Sequence, residues 1–180
     1  MAMSKVFLVA CWSITTLIVA LALSACQPAA TIADPPPAAA APKNDWVAEI
    51  RRLAAAEKSY IEVLPLSDPA VTDLRGAARL AEAERRYDDV EMALAAALAL
   101  TPEDPDLWQW RAENDLAQAR WPDARRHARH SARIGPRLGA LCVRNWLTLR
   151  AVAEGTGESV AAARAQTRAS ACTVPAPVRL

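Results

Sequence analysis

Residues of matching chemistry recur in this chain at a separation of 34. Leu100-Thr101-Pro102 is followed by Ile134-Gly135-Pro136, Tyr87 by Trp121, Leu74 by Trp108, Leu94 by Ala128, and Ala97 by Ser131. A fixed period of this length means that one supersecondary unit is copied along the chain. Such a unit buries its apolar face only against its neighbours, so the spacing constrains the architecture more tightly than composition does.

The unit is helical. The chain has only five Gly, two Tyr and one Phe, and it is rich in Ala, a helix-former composition with few alternating β-branched stretches. Asp45 caps a first helix, with Trp46, Ile50, Leu53 and Tyr60 at helical spacing, and Pro65 ends it. Ser67-Asp68-Pro69 starts a second helix that runs to about Arg85. Tyr87-Asp88-Asp89 opens the third, Val90 to Leu100, and Thr101-Pro102-Glu103-Asp104-Pro105 breaks it. The fourth covers about 106–119, and the fifth runs from Trp121 to Gly135-Pro136. The sixth covers Leu138 to Glu154, Gly155-Thr156-Gly157 turns the chain, and the seventh covers Glu158 to Ala171. The expected fold class is all-α, an α-solenoid of helix–turn–helix units with about seven helices.

This pattern resembles the tetratricopeptide repeat, a 34-residue helix–turn–helix family. Trp108 stands at the large residue of its helix A. Ala78 and Ala112 stand where helices A and B approach, and Tyr87 and Trp121 at the aromatic that opens helix B. Ala97, Ala124 and Ser131 match small positions of helix B, and Pro102 and Pro136 match the closing proline. Arg111, Asn114 and Asp115 depart from it, falling where helix A usually carries core residues. Either that helix rotates onto Trp108, Trp110, Ala112 and Leu116, or its packing is unusual. The third hairpin fits only with a short insertion near Gly155.

The N-terminus carries a second resemblance. Lys5 precedes an uncharged apolar run, Val6 to Leu23, which ends in Leu23-Ser24-Ala25-Cys26. This is the layout of a secretory signal, and the tetrad resembles the lipobox of bacterial lipoproteins. The resemblance implies cleavage before Cys26 and acylation of its thiol; an uncleaved membrane anchor is the rival reading. Gln27, where an Asp would favour inner-membrane retention, resembles outer-membrane sorting. The expected organisation is a signal peptide over 1–25, then a lipidated Cys26 with a Pro/Ala-rich tether over 26–43. A helical domain follows over 44–173, and an extended tail over 174–180. The tether could reach roughly 50 Å from the membrane at ~3.1 Å per residue.

In an oxidising envelope compartment the two cysteines of the helical domain, Cys142 and Cys172, are expected to pair. They fall at similar heights on the last two antiparallel helices; the alternative is a buried Cys142 thiol and a free Cys172.

Removing residues 1–25 removes one charge, Lys5, and leaves the rest formally neutral, which argues against a nucleic-acid partner. The charges are segregated: residues 103–119 hold five acids and one Arg, and 120–150 hold eight Arg and one Asp. His127 and His130, the only two histidines, sit at i, i+3 among Arg125, Arg126, Arg129 and Arg133, a setting that opposes metal binding and suits a solvated face. No catalytic residue, metal ligand or cofactor site is assigned, and no small-molecule substrate is expected.

The resemblance implies instead a partner-binding groove lined by the A helices, with Arg75, Arg79, Gln109, Trp110, Glu113 and Arg144 on it. Trp110 could equally be core. The implied role is a non-enzymatic adaptor or assembly factor that binds an envelope protein or peptide segment and is tethered by lipid to the outer membrane, facing the periplasm. The alternative is a module for an anionic envelope polymer, peptidoglycan or lipopolysaccharide, bound through the Arg-rich helix.

Overall fold

Aspartate side chains start three of the helices in the computed structural model, which describes residues 45–57 and 68–173. Asp45 accepts from the Ala48 N–H, Asp68 from Ala70, and Asp104 from both Asp106 and Leu107. Pro69 and Pro105 follow the last two caps, where a missing N–H costs nothing. Among the described residues there are seven helices and no strand. They are α1 (Trp46–Ala55), α2 (Pro69–Ala83), α3 (Tyr87–Leu100), α4 (Pro105–Ala117), α5 (Trp121–Ile134), α6 (Ala140–Gly155) and α7 (Ser159–Ser170). The fold is all-α, a run of antiparallel helical hairpins, α2–α3, α4–α5 and α6–α7.

The 34-residue period is written into the backbone. After α2, Arg85 takes a left-handed φ of 57°; after α4, Ala119 takes 56°. The Arg86 N–H bonds the Ala81 carbonyl at 2.9 Å, and the Arg120 N–H bonds Asp115 at 2.9 Å. Arg85 likewise bonds Glu82, and Ala119 bonds Leu116, both at 3.0 Å. This paired bonding to the last carbonyls is a Schellman cap. The third hairpin uses the same cap at Gly157, φ 76°, with Glu158 bonded to Ala153 at 2.7 Å. It comes later in the repeat because α6 has 16 residues where α4 has 13.

Small residues sit where the helices meet: Ala78, Ala97, Ala112, Ala124, Ala128 and Ser131 are all fully buried. Gly155 belongs to α6 rather than to the turn. A Cβ there would lie 2.7 Å from the Trp121 ring, so the glycine is what lets α5 and α6 approach.

Two apolar clusters result. One joins Val71, Val90, Leu94, Leu98, Leu107 and Trp110 across α2, α3 and α4. The other joins Ile50 and Ala54 of α1 to Leu116, Val143, Leu147 and Val152. A disulfide links Cys142 near the start of α6 to Cys172 just past α7, with Cα atoms 5.7 Å apart. The Gly139 N–H also bonds the Cys172 carbonyl at 2.9 Å, so the open end of the last hairpin is tied twice.

One boundary differs from expectation. α1 ends at Ala55, where the Ala56 and Glu57 N–H groups bond three residues back and tighten the last turn. Tyr60 and Pro65, expected within and after this helix, lie outside the described residues, as do the signal segment, Cys26, the tether and the tail. No helix among the described residues is long and apolar enough to cross a membrane.

Candidate functional site

The face expected to be an open groove is filled by the chain itself. α1 packs against α4 and α6. Its Arg51 reaches two of the other hairpins' first helices: both outer guanidinium nitrogens donate to Glu82 of α2, at 2.9 and 3.0 Å, while Nε donates to Glu113 of α4 at 2.7 Å. Glu113 is 0% exposed. Besides Arg51, its carboxylate accepts from Arg144 Nε at 2.8 Å, Arg144 Nη2 at 3.1 Å and Gln109 Nε2 at 2.9 Å. Gln109 also donates to Thr148 Oγ1 at 2.8 Å, and Trp110 Nε1 donates to Glu82 at 3.2 Å. Arg144 Nη1 bonds Asp106 at 2.6 Å, and Arg75 bridges Asp104 and Asp106 at 2.8 and 2.6 Å.

These contacts revise the expected groove. Gln109, Trp110 and Glu113 are buried, and Arg75 and Arg144 are committed to carboxylates of their own chain. Arg79 alone of the six is exposed. Part of the cause is α1, whose apolar stripe supplies Ile50 and Ala54 and whose Arg51 reaches Glu82 and Glu113; Trp110 is buried in the α2–α3–α4 cluster, and Gln109 bonds Thr148 of α6. The unusual packing of α4 has the same origin. Glu113 through Leu116 are consecutively buried because α1 and α6 cover one side of the helix and α3 and α5 the other.

Burial raises the Glu113 carboxyl, but Arg144 and Arg51 outweigh it and hold the group below its ordinary range. Asp106 follows the same balance: burial opposes ionisation, and Arg144 and Arg75 win. In return, burial of Arg144 is outweighed by Glu113 and Asp106, which bind its proton more tightly than usual.

His127 is not on a solvated face. It is buried, with Nδ1 2.7 Å from Asp115, whose other oxygen accepts from Arg120. Trp108 lies against both histidines, with ring centroids 5.4 and 4.5 Å away, and donates its indole N–H to the Pro102 carbonyl at 2.8 Å. Burial and then Arg133 lower the His130 pKa. The hydroxyl of Ser131 donates to the Pro105 carbonyl at 2.7 Å, so it closes the α4–α5 hairpin. Among the described residues no three His, Cys, Asp or Glu side chains converge as a metal site would need.

The open concavity lies elsewhere. α5, α6 and α7 enclose a groove of about 860 Å³, within the usual size of ligand sites. Trp146, Leu149, Ala153, Ala161 and Ala165 form its apolar part. Arg125, Arg129 and Arg133 line it from α5, and Arg164 and Arg168 from α7. Glu158 is the one carboxylate among the described lining residues, and it is bonded to Arg125. Arg168 lies over the Trp146 ring, 5.7 Å from its centroid. The sequence marked this surface only through the run of arginines in α5; the α7 arginines opposite them carry no local signal.

No protein-family model matches the chain, and comparison with characterised proteins finds no match either.

Proposed function

We propose that this protein is a tetratricopeptide-like lipoprotein of the bacterial envelope that acts by binding another protein, as an adaptor or assembly factor. Lipid on Cys26 would tether it to the outer membrane, and the Pro/Ala-rich segment would hold the helical domain out in the periplasm. The observation that carries this reading is the repeat. Arg85 and Ala119 take the same left-handed cap 34 residues apart, beneath matching buried small residues. Repeated hairpins of this kind build extended surfaces for partners. The disulfide suits an oxidising compartment, and the Leu23-Ser24-Ala25-Cys26 tetrad supplies the address.

Affinity capture tests it. The full chain, purified from membranes with mild detergent, is expected to retain a defined protein partner identified by mass. The arginine groove favours a second reading, in which the ligand is an anionic envelope polymer. In that case the ligand is peptidoglycan or lipopolysaccharide and is released as salt screens the charges. Capture of neither contradicts both.

A further inference from the structure

We infer that the partner docks in the α5–α6–α7 groove rather than on the face of the first helices, and that the docked segment is an acidic amphipathic helix. The inference deepens the adaptor reading and rests on it. Three observations lead to it.

Among the described residues the face of α4 and α6 is covered, while Arg79 of α2 stays exposed. α1 lies on the covered face, and the arginines and carboxylates there satisfy one another, as Glu113 does through Arg51 and Arg144. A partner at that face would have to displace a packed helix and strand a fully buried carboxylate, which is costly.

The α5–α7 groove has the opposite character. Its apolar floor of Trp146 and Leu149 is half-buried, with Arg168 over the Trp146 ring, and Val160 beside it is 64% exposed. The exposed arginines Arg129 and Arg164 flank the floor and form no ion pair among the described residues. Cations on both walls and apolar surface between them match a helix with apolar residues at i, i+3, i+4 and i+7 and Asp or Glu on either side. The guanidinium fork suits those carboxylates, and Trp146 is the kind of residue that anchors an interface.

Shape favours a peptide over a bilayer. A trough between two helices admits one row of side chains, whereas a flat headgroup surface meets only the ridges. Charge then sets the polarity of the segment. Five arginines against one paired glutamate reject a basic helix and attract an acidic one.

In-cell photocrosslinking with the full chain tests the inference. A photoreactive residue replaces Val160 in the groove or, as the comparison position, Leu80, which is 69% exposed on α2. The expected result is a protein crosslink from Val160 whose mapped segment is acidic and apolar at helical spacing. Arg129→Glu with Arg164→Glu should weaken it by about tenfold or more while helicity and melting stay unchanged. Crosslinks from Val160 to lipid or to peptidoglycan glycan, or to a basic or non-amphipathic protein segment, overturn the inference. A protein crosslink from Leu80 alone also overturns it and leaves the adaptor reading standing. No protein crosslink from either position counts against the adaptor reading itself.

Discussion

Replacing Glu113 by alanine tests whether α1 truly closes the face of the first helices. The carboxylate is fully buried and accepts from three side chains, Arg51, Arg144 and Gln109. Removing one member of a buried ion pair costs about 3–5 kcal/mol, because the partner charge stays behind. Two features reduce that figure. Arg144 keeps Asp106 and Arg51 keeps Glu82, and Arg51 is 37% exposed, so water screens its share. The net expectation is a loss of about 3 kcal/mol, a large part of the ~5–15 kcal/mol that holds a domain together. Urea unfolding followed by far-UV circular dichroism reads it. Arg52→Ala is the control, since its i,i+3 pair with Glu49 is exposed on both sides and its loss should leave the unfolding midpoint nearly unchanged. A loss at Glu113 below about 1 kcal/mol would refute the reasoning, because it would mean that Glu113 sits on a wet, open groove.

Acid should unfold the protein through the same network: Glu113 and Asp106 have folded pKa values below their ordinary 4.5 and 3.8. Their stabilisation is therefore complete above those values and is lost as pH falls through the lower folded ones, so a pH titration of the melting temperature should drop below about pH 4. Ala119→Gly should stabilise by about 0.5–1 kcal/mol in thermal melts, because φ 56° strains an alanine and suits glycine; destabilisation there would contradict the cap. Gly155→Ala should destabilise by about 1–3 kcal/mol, since the new methyl meets the Trp121 ring; a neutral result in urea titration would place that ring elsewhere. Reducing the Cys142–Cys172 bridge, which closes a separation of 30 residues, should cost roughly 3–4 kcal/mol in the chain-entropy account, read as a fall in melting temperature with reductant.

Local chemistry was legible in the sequence wherever one residue decides one boundary. Asp45 and Asp68 with Pro69 mark helix starts because capping acts within a turn, whereas Asp104 and Pro105, read only as part of a break, turn out to cap and open α4. The 34-residue spacing carries over to the backbone because each repeat is one hairpin. The Cys142–Cys172 pairing was accessible too, since antiparallel helices of known rise put those positions at one height. The left-handed turns at Arg85 and Ala119 were hidden, because neither is the glycine that usually signals such a cap.

The placement of α1 was the larger gap. Trp46, Ile50 and Leu53 announce an apolar stripe, but a stripe does not say which helices it will cover. With α1 and the α4–α6 contacts unplaced, Gln109 and Glu113 read as an open groove rather than as groups that Thr148, Arg51 and Arg144 need, while Trp110, left open between groove and core, is core. His127 misled for a related reason. Four arginines nearby in sequence suggest solvent, while its buried partner, Asp115, comes from the preceding helix.

The functional reading depends first on Cys26, and the mass of the intact protein purified from the membranes of its own cells tests that residue directly. The account predicts a chain that begins at Cys26 and carries acyl groups, two or more of which anchor a protein stably where one does not. A chain that keeps residues 1–25, or that begins at an unmodified Cys26, would contradict the lipoprotein reading and with it the proposed place in the envelope.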